Sequence, residues 1–148
     1  SPVPDSPISP RKSNILFTST EAFAGSAVDV GGFASEDHEY FNIPGLAGGG
    51  LVAFPIHGNS MEPVIYDGDM VICRELQSLH EIRDNKIYAV KNNGAIWVKY
   101  VQKITDKNNR VVQLKMISAN HLEHDPFIED VNEYTRLYQV VRKISELE

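Results

Sequence analysis

From residue 51 onward the chain alternates apolar and polar positions in short runs, the pattern of half-buried strands. Residues 51–58 (LVAFPIHG), 70–76 (MVICREL), 86–92 (KIYAVKN), 95–104 (AIWVKYVQKI), 111–117 (VVQLKMI) and 138–144 (YQVVRKI) are rich in β-branched and aromatic side chains. Turn formers separate them: Asp67-Gly68-Asp69, Asp84-Asn85, Asn92-Asn93-Gly94 and Lys107-Asn108-Asn109. Asn93-Gly94 between two strand patterns predicts a tight hairpin. Residues 75–84 allow one short helical turn. No segment carries the apolar stripe of a helix of three or more turns. The pattern predicts one mainly-β domain, from about residue 25 to the end, without internal repeats.

Upstream the pattern changes. Residues 1–14 hold four of the eight prolines among several serines, which reads as a linker or a truncated start. Residues 15–33 mix small and apolar residues with glycines and are expected to form an extended arm with one or two short strands. Residues 35–50 read as a loop with one helical turn, broken by Gly48-Gly49-Gly50. The organisation expected is therefore a linker over 1–14, an arm and loop over 15–50, and a β domain over 51–148.

A chain of 148 residues has room for one core. Its net charge of −6 comes with no basic block, so it is a poor partner for nucleic acid on its own. A helix-turn-helix reader would need two or three helices that the pattern does not contain. No apolar run approaches the roughly 20 residues of a membrane helix, and the N-terminus lacks a signal-peptide pattern. The single cysteine, Cys73, excludes an internal disulfide and a Cys-rich metal site, in keeping with a reducing cytoplasm. It sits in an apolar strand run and reads as a core thiol.

The chemistry concentrates in residues 58–73, GNSMEPVIYDGDMVIC. Ser60 follows Gly58 at the end of an apolar strand and precedes the turn-forming Pro63. A serine hydroxyl is a weak nucleophile and needs a base within hydrogen-bond reach. His57 lies three positions before Ser60 and is expected to point along its own strand. The other option is a lysine held neutral by removal from water. In residues 95–104 the period of two puts Ala95, Trp97, Lys99 and Val101 on one face. Lys99 there is either a strand lysine that snorkels to water or a desolvated base, and periodicity alone leaves both open.

GNSMEP, then YDGDMV, then WVKYV about forty residues on, resembles the paired motifs of LexA-type repressor peptidases. Residues 114–127 (LKMISANHLEHDPF) and 138–144 are similar to the closing segments of that family, and the resemblance spans roughly residues 22–144. It implies a small β-sheet peptidase domain of the LexA and signal-peptidase type, with an extended cleavage arm. It implies Ser60 as nucleophile and Lys99, 39 positions later, as its base. Met61, or Ser60 itself, becomes the backbone donor to the oxyanion. The family cuts its own chain at a small-residue–Gly bond, and Ala24-Gly25 lies at the matching interval, 35 positions before Ser60.

The resemblance further implies a cytoplasmic transcriptional regulator of the SOS-response kind. Its partners would be a second copy, with residues 138–144 as an interface edge, and a RecA filament that promotes docking of the arm. DNA would be met only through a helix-turn-helix domain outside this chain. The reading calls for no cofactor and no metal. Rival readings are a UmuD-like accessory protein of translesion synthesis, a signal-peptidase-like enzyme, and an oligomerisation module that keeps the fold without cutting.

Other polar clusters carry less. His121, His124 and Asp125 read as a polar surface loop rather than a metal site, because Asp125-Pro126 argues for a turn. His38 and His80 stand alone. Glu129, Asp130 and Glu133 read as a solvated face.

Overall fold

A computed structural model of the chain describes residues 14–25, 39–46 and 48–147. The linker expected over 1–14 falls outside these but for Asn14, as do His38 and the arm beyond Gly25.

Nine strands form one mixed sheet in the order β2-β1-β3-β4-β9-β5-β6-β7-β8. They are β1 (Ile15–Phe17), β2 (Glu39–Phe41), β3 (Leu51–Pro55), β4 (Met70–Glu75), β5 (Lys86–Asn92), β6 (Ala95–Thr105), β7 (Val111–Ile117), β8 (Phe127–Asp130) and β9 (Arg136–Ile144). All six expected strand runs are present. A short helix, α1 (Thr20–Gly25), and a 3-10 turn (Leu79–Glu81) are the other regular elements among the described residues. Ser78 starts that turn by accepting the His80 N–H on its hydroxyl. No helix among the described residues is long and apolar enough to cross a membrane.

Two expectations are corrected. The fold already includes residue 15, ahead of the start expected near 25, because β1 pairs parallel to β3 and Ile15 and Leu16 are fully buried. The stretch expected as extended arm contains α1, which is held by one side chain: Phe23 is fully buried. Its ring lies 5.4 Å from that of Phe54 and 4.9 Å, edge-on, from that of Tyr138. A third expectation, that residues 138–144 form a sheet edge, is also corrected. Residues 138–144 do not form an outer edge, since β9 runs between β4 and β5. Its ladder with β5 ends at Tyr88↔Gln139, so residues 142–144 pair on the β4 side alone.

The period of two sorts the core. Val52, Phe54, Val71, Cys73, Ala89 and Tyr138 point to one face and pack with Phe23, Met61 and Ile65. Two further clusters form from the alternate positions, Tyr88, Val90, Val101, Leu114 and Leu137 in one and Ile15, Leu51, Ala53 and Ile72 in the other. Cys73 is a buried core thiol, and burial pushes its pKa up. The β5–β6 hairpin turns at Asn93 and Gly94, both at positive φ (54° and 81°), the geometry of a type I′ turn.

Truncating Leu114, 1% exposed in the β7 ladder, removes a side chain with no freedom to collapse around the gap. Leu114→Ala is expected to cost about 2–5 kcal/mol, read from the urea midpoint at unchanged slope.

Candidate active site

Ser60 stands in the irregular connection from β3 to β4, and the Asp-Gly-Asp turn is its clasp. The Ile56 N–H donates to the Asp69 carbonyl and the Gly68 N–H to the Ile56 carbonyl, both at 2.8 Å. The Gly58 N–H donates to Asp67 Oδ1 at 2.7 Å and the Tyr66 N–H to Asp69 Oδ2 at 2.8 Å. Gly58 has φ of 90°, a conformation a side chain would resist. Inside the clasp the N–H groups of Val64 and Ile65 both donate to the Met61 carbonyl. The Met61 and Ile65 side chains are buried, so the loop is anchored in the core on the far side of Ser60.

Lys99 reaches the same place from β6. The β6–β7 ladder ends at Tyr100↔Ile117, which leaves residues 95–99 with β5 on one side and no ladder on the other. The Ser60 loop enters that gap. Lys99 Nζ lies 2.7 Å from Ser60 Oγ, and Lys99 is only 8% exposed. Burial depresses its pKa below the ordinary 10.5. Among the described residues no carboxylate stands within ion-pair distance of it. An amine that is desolvated, without a counter-ion and in contact with a hydroxyl favours its neutral form, which can take the hydroxyl proton.

The two side chains meet in a cleft of about 260 Å³, lined also by Thr20, Phe54, His57, Met61 and Trp97. His57 is exposed and makes no hydrogen bond to Ser60 among the described residues. The N–H groups of Ser60 and Met61 meet no acceptor among the described residues. That leaves two backbone donors open beside the hydroxyl.

The structure does not bring Ala24-Gly25 to this pair. The two residues close α1, Ala24 half-buried and Gly25 exposed, and neither lines the cleft. Thr20 does, with its hydroxyl donating to the Pro55 carbonyl at 2.8 Å.

Two features escaped the sequence reading. Residues 118–124 are not merely a polar surface loop. His121 and Asp125 are exposed, but Asn120 and His124 bond the Ser60 loop directly. Their only signal was polarity, and their partners lie some sixty positions away. The second is Lys91, 8% exposed, with Nζ 4.7 Å from the centre of the Phe23 ring. Burial lowers its pKa, Glu75 raises it and Arg136 lowers it further. In sequence it was one strand lysine among several. Among the described residues no group of three or more His, Cys, Asp or Glu is arranged to hold a metal ion.

No curated protein matches the chain closely enough to serve as a relative. The family model described as Peptidase S24-like matches residues 23–136, which takes in the end of α1, the Ser60 loop and the strand of Lys99. With that match over well more than half its length, the chain belongs to the Peptidase S24-like family.

Proposed function

We propose that the protein is a serine endopeptidase that cuts its own Ala24-Gly25 bond with Ser60 as nucleophile and Lys99 as base. The observation that carries this reading is the 2.7 Å contact between a buried, counter-ion-free amine and the Ser60 hydroxyl. Neutral Lys99 takes the Ser60 proton as the oxygen attacks the carbonyl of Ala24. Negative charge on that oxygen is met by the free N–H groups of Ser60 and Met61. Lys99, now protonated, gives its proton to the nitrogen of Gly25, which leaves as a free amine. Ala24 remains as an ester on Ser60 until water, deprotonated by Lys99, releases it.

The substrate must first change shape. A peptide bond in a helical turn does not present an open carbonyl to a nucleophile. Six residues are too few to hold a helix without tertiary contacts, so unwinding α1 costs mainly the Phe23 packing and the Thr20–Pro55 bond. Because the bond is tethered to its own enzyme, its effective concentration is high and docking sets the rate.

The wider role we infer is that of the self-cleavage and dimerisation domain of a LexA-like or phage-repressor-like transcriptional regulator. The acidic net charge of −6 supports a division of labour in which DNA is bound by a separate helix-turn-helix domain. The one-sided pairing of residues 142–144 supports a second copy adding there, with two-fold symmetry. Sedimentation equilibrium is expected to give a dimer that dissociates with dilution.

Incubation of the purified chain at rising pH is expected to release a fragment ending at Ala24, identified by its mass. Lys99 must lose its proton, so the rate should rise about tenfold per pH unit and level off below pH 10.5, because the native pKa is depressed. Ser60→Ala, Lys99→Met and Lys99→Arg should each slow cleavage by at least about a thousandfold. An intact wild-type chain after days at pH 10 would refute self-cleavage.

The same depression has a stability consequence of fixed sign. Between the native pKa of Lys99 and its unfolded value near 10.5, the unfolded chain holds more protons, so stability rises with pH there. Below the native pKa the folded state carries a buried charge at a constant penalty. Lys99→Met is therefore expected to raise the thermal midpoint at pH 7 and to remove its share of the slope near pH 10.

A further inference from the structure

We infer that Asn120 is a positioning residue that aims both oxyanion donors, by pinning the two peptide planes that carry them. The inference rests on the Ser60–Lys99 reading. A trans peptide is planar, and its C=O and N–H point in opposite directions. The Ser60 N–H shares a plane with the Asn59 carbonyl, and the Met61 N–H shares one with the Ser60 carbonyl. Neither of these bonds is cis. Asn120 holds both carbonyls. Its backbone N–H donates to the Ser60 carbonyl at 2.9 Å, and its side-chain Nδ2 donates to the Asn59 carbonyl at 3.2 Å, which also accepts the Glu62 N–H at 3.2 Å. With both carbonyls drawn toward residue 120, both N–H groups face away from it, and they are the two that find no acceptor among the described residues.

The rest of the segment locks this arrangement. Asn59 Nδ2 donates to Glu123 Oε1 at 3.1 Å, so its Oδ1 is the acceptor for His124 Nε2–H at 2.7 Å. The Ala119 N–H points at Met61 Sδ, 3.4 Å away. The Asn120 carbonyl in turn accepts the N–H groups of Glu123 and His124, which closes residues 120–124 into a tight turn. Residues 59, 60 and 61 are thus each tied to one short segment that follows β7. It is the departure of β7 from the ladder after Ile117 that brings this segment to the gap beside Lys99.

The test is the first-order self-cleavage rate of the full chain across pH, with amide hydrogen exchange at residues 59–62 measured on the same variants. Asn120→Ala keeps the backbone bond and adds no charge but loses the side-chain donor. We expect it to slow cleavage about 10- to 100-fold and to leave the pH at which the rate levels off unchanged, because the surroundings of Lys99 are untouched. Exchange of the Ser60 and Met61 amides should rise. His124→Phe should show a smaller loss of the same kind, and His124→Gln, which restores an N–H donor, should recover most of it.

Rates within twofold of wild type for Asn120→Ala, with unchanged exchange, would overturn the assignment. So would a slowed variant whose pH profile shifts, since that would place the effect on Lys99. If wild type does not cut at any pH, the peptidase reading fails. The exchange measurement then still decides whether Asn120 fixes the loop.

Discussion

A lysine side chain kept from water gives up its proton more readily unless its charge is paired, and Lys99 has no carboxylate to pair with among the described residues. That single constraint orders the site. The hydroxyl of Ser60 is its one hydrogen-bond partner among the described residues, at 2.7 Å, and the surroundings that exclude water are the walls of the cleft: Trp97, Phe54 and the loop anchored by Met61. Lys91 offers an internal comparison. It is buried to the same degree, but it lies over an aromatic ring and near Glu75, so its charge has compensation that Lys99 lacks. Two lysines on neighbouring strands are thus set apart by what surrounds them, and only one is given a hydroxyl to activate.

The gap that holds this pair is a product of sheet topology. β6 runs for eleven residues, longer than either neighbour can follow. β5 covers its first seven residues and β7 its last six. The overlap is short, so the start of β6 is open on one side where the chain after β7 turns away. A loop from the other half of the sheet fills the opening, and the clasp of Asp67, Gly68 and Asp69 gives that loop its reach. Ser60, Lys99 and the segment after β7 come from three separated parts of the chain, and the open flank of one long strand is where they converge.

Legibility followed the length of the signal. Strands of five to eleven residues showed through alternation, and the Asn93-Gly94 turn through the φ values only such residues adopt readily. β1, β2 and β8 have three or four residues each, too few for a period to declare itself. α1 could not be read because one buried residue, Phe23, holds it and no stripe exists. In the site, Ser60 and Lys99 were legible from paired motifs, while periodicity alone left Lys99 undecided between snorkelling and burial. Asn120 and His124 were invisible for a physical reason. What they do depends on which carbonyls stand opposite, and no local pattern encodes a partner sixty residues away.

On the self-cleavage proposed above, the placement of α1 bears on how the chain would survive its own chemistry. A nucleophile with its base already in contact would attack any bond presented to it, so restraint has to come from the substrate side. Thr20 at the cleft and Phe23 in the core hold the segment in a helical turn, with Ala24 and Gly25 away from the Ser60 hydroxyl. The restraint is modest by construction, since one aromatic anchor and one hydroxyl bond secure six residues. A partner that favours the extended form need supply only the difference between these contacts and those made by an extended segment in the cleft. Rate control by docking then requires no movement of Ser60 or Lys99, which is consistent with the rigid tethering of residues 59–61 on one side and the core anchors Met61 and Ile65 on the other.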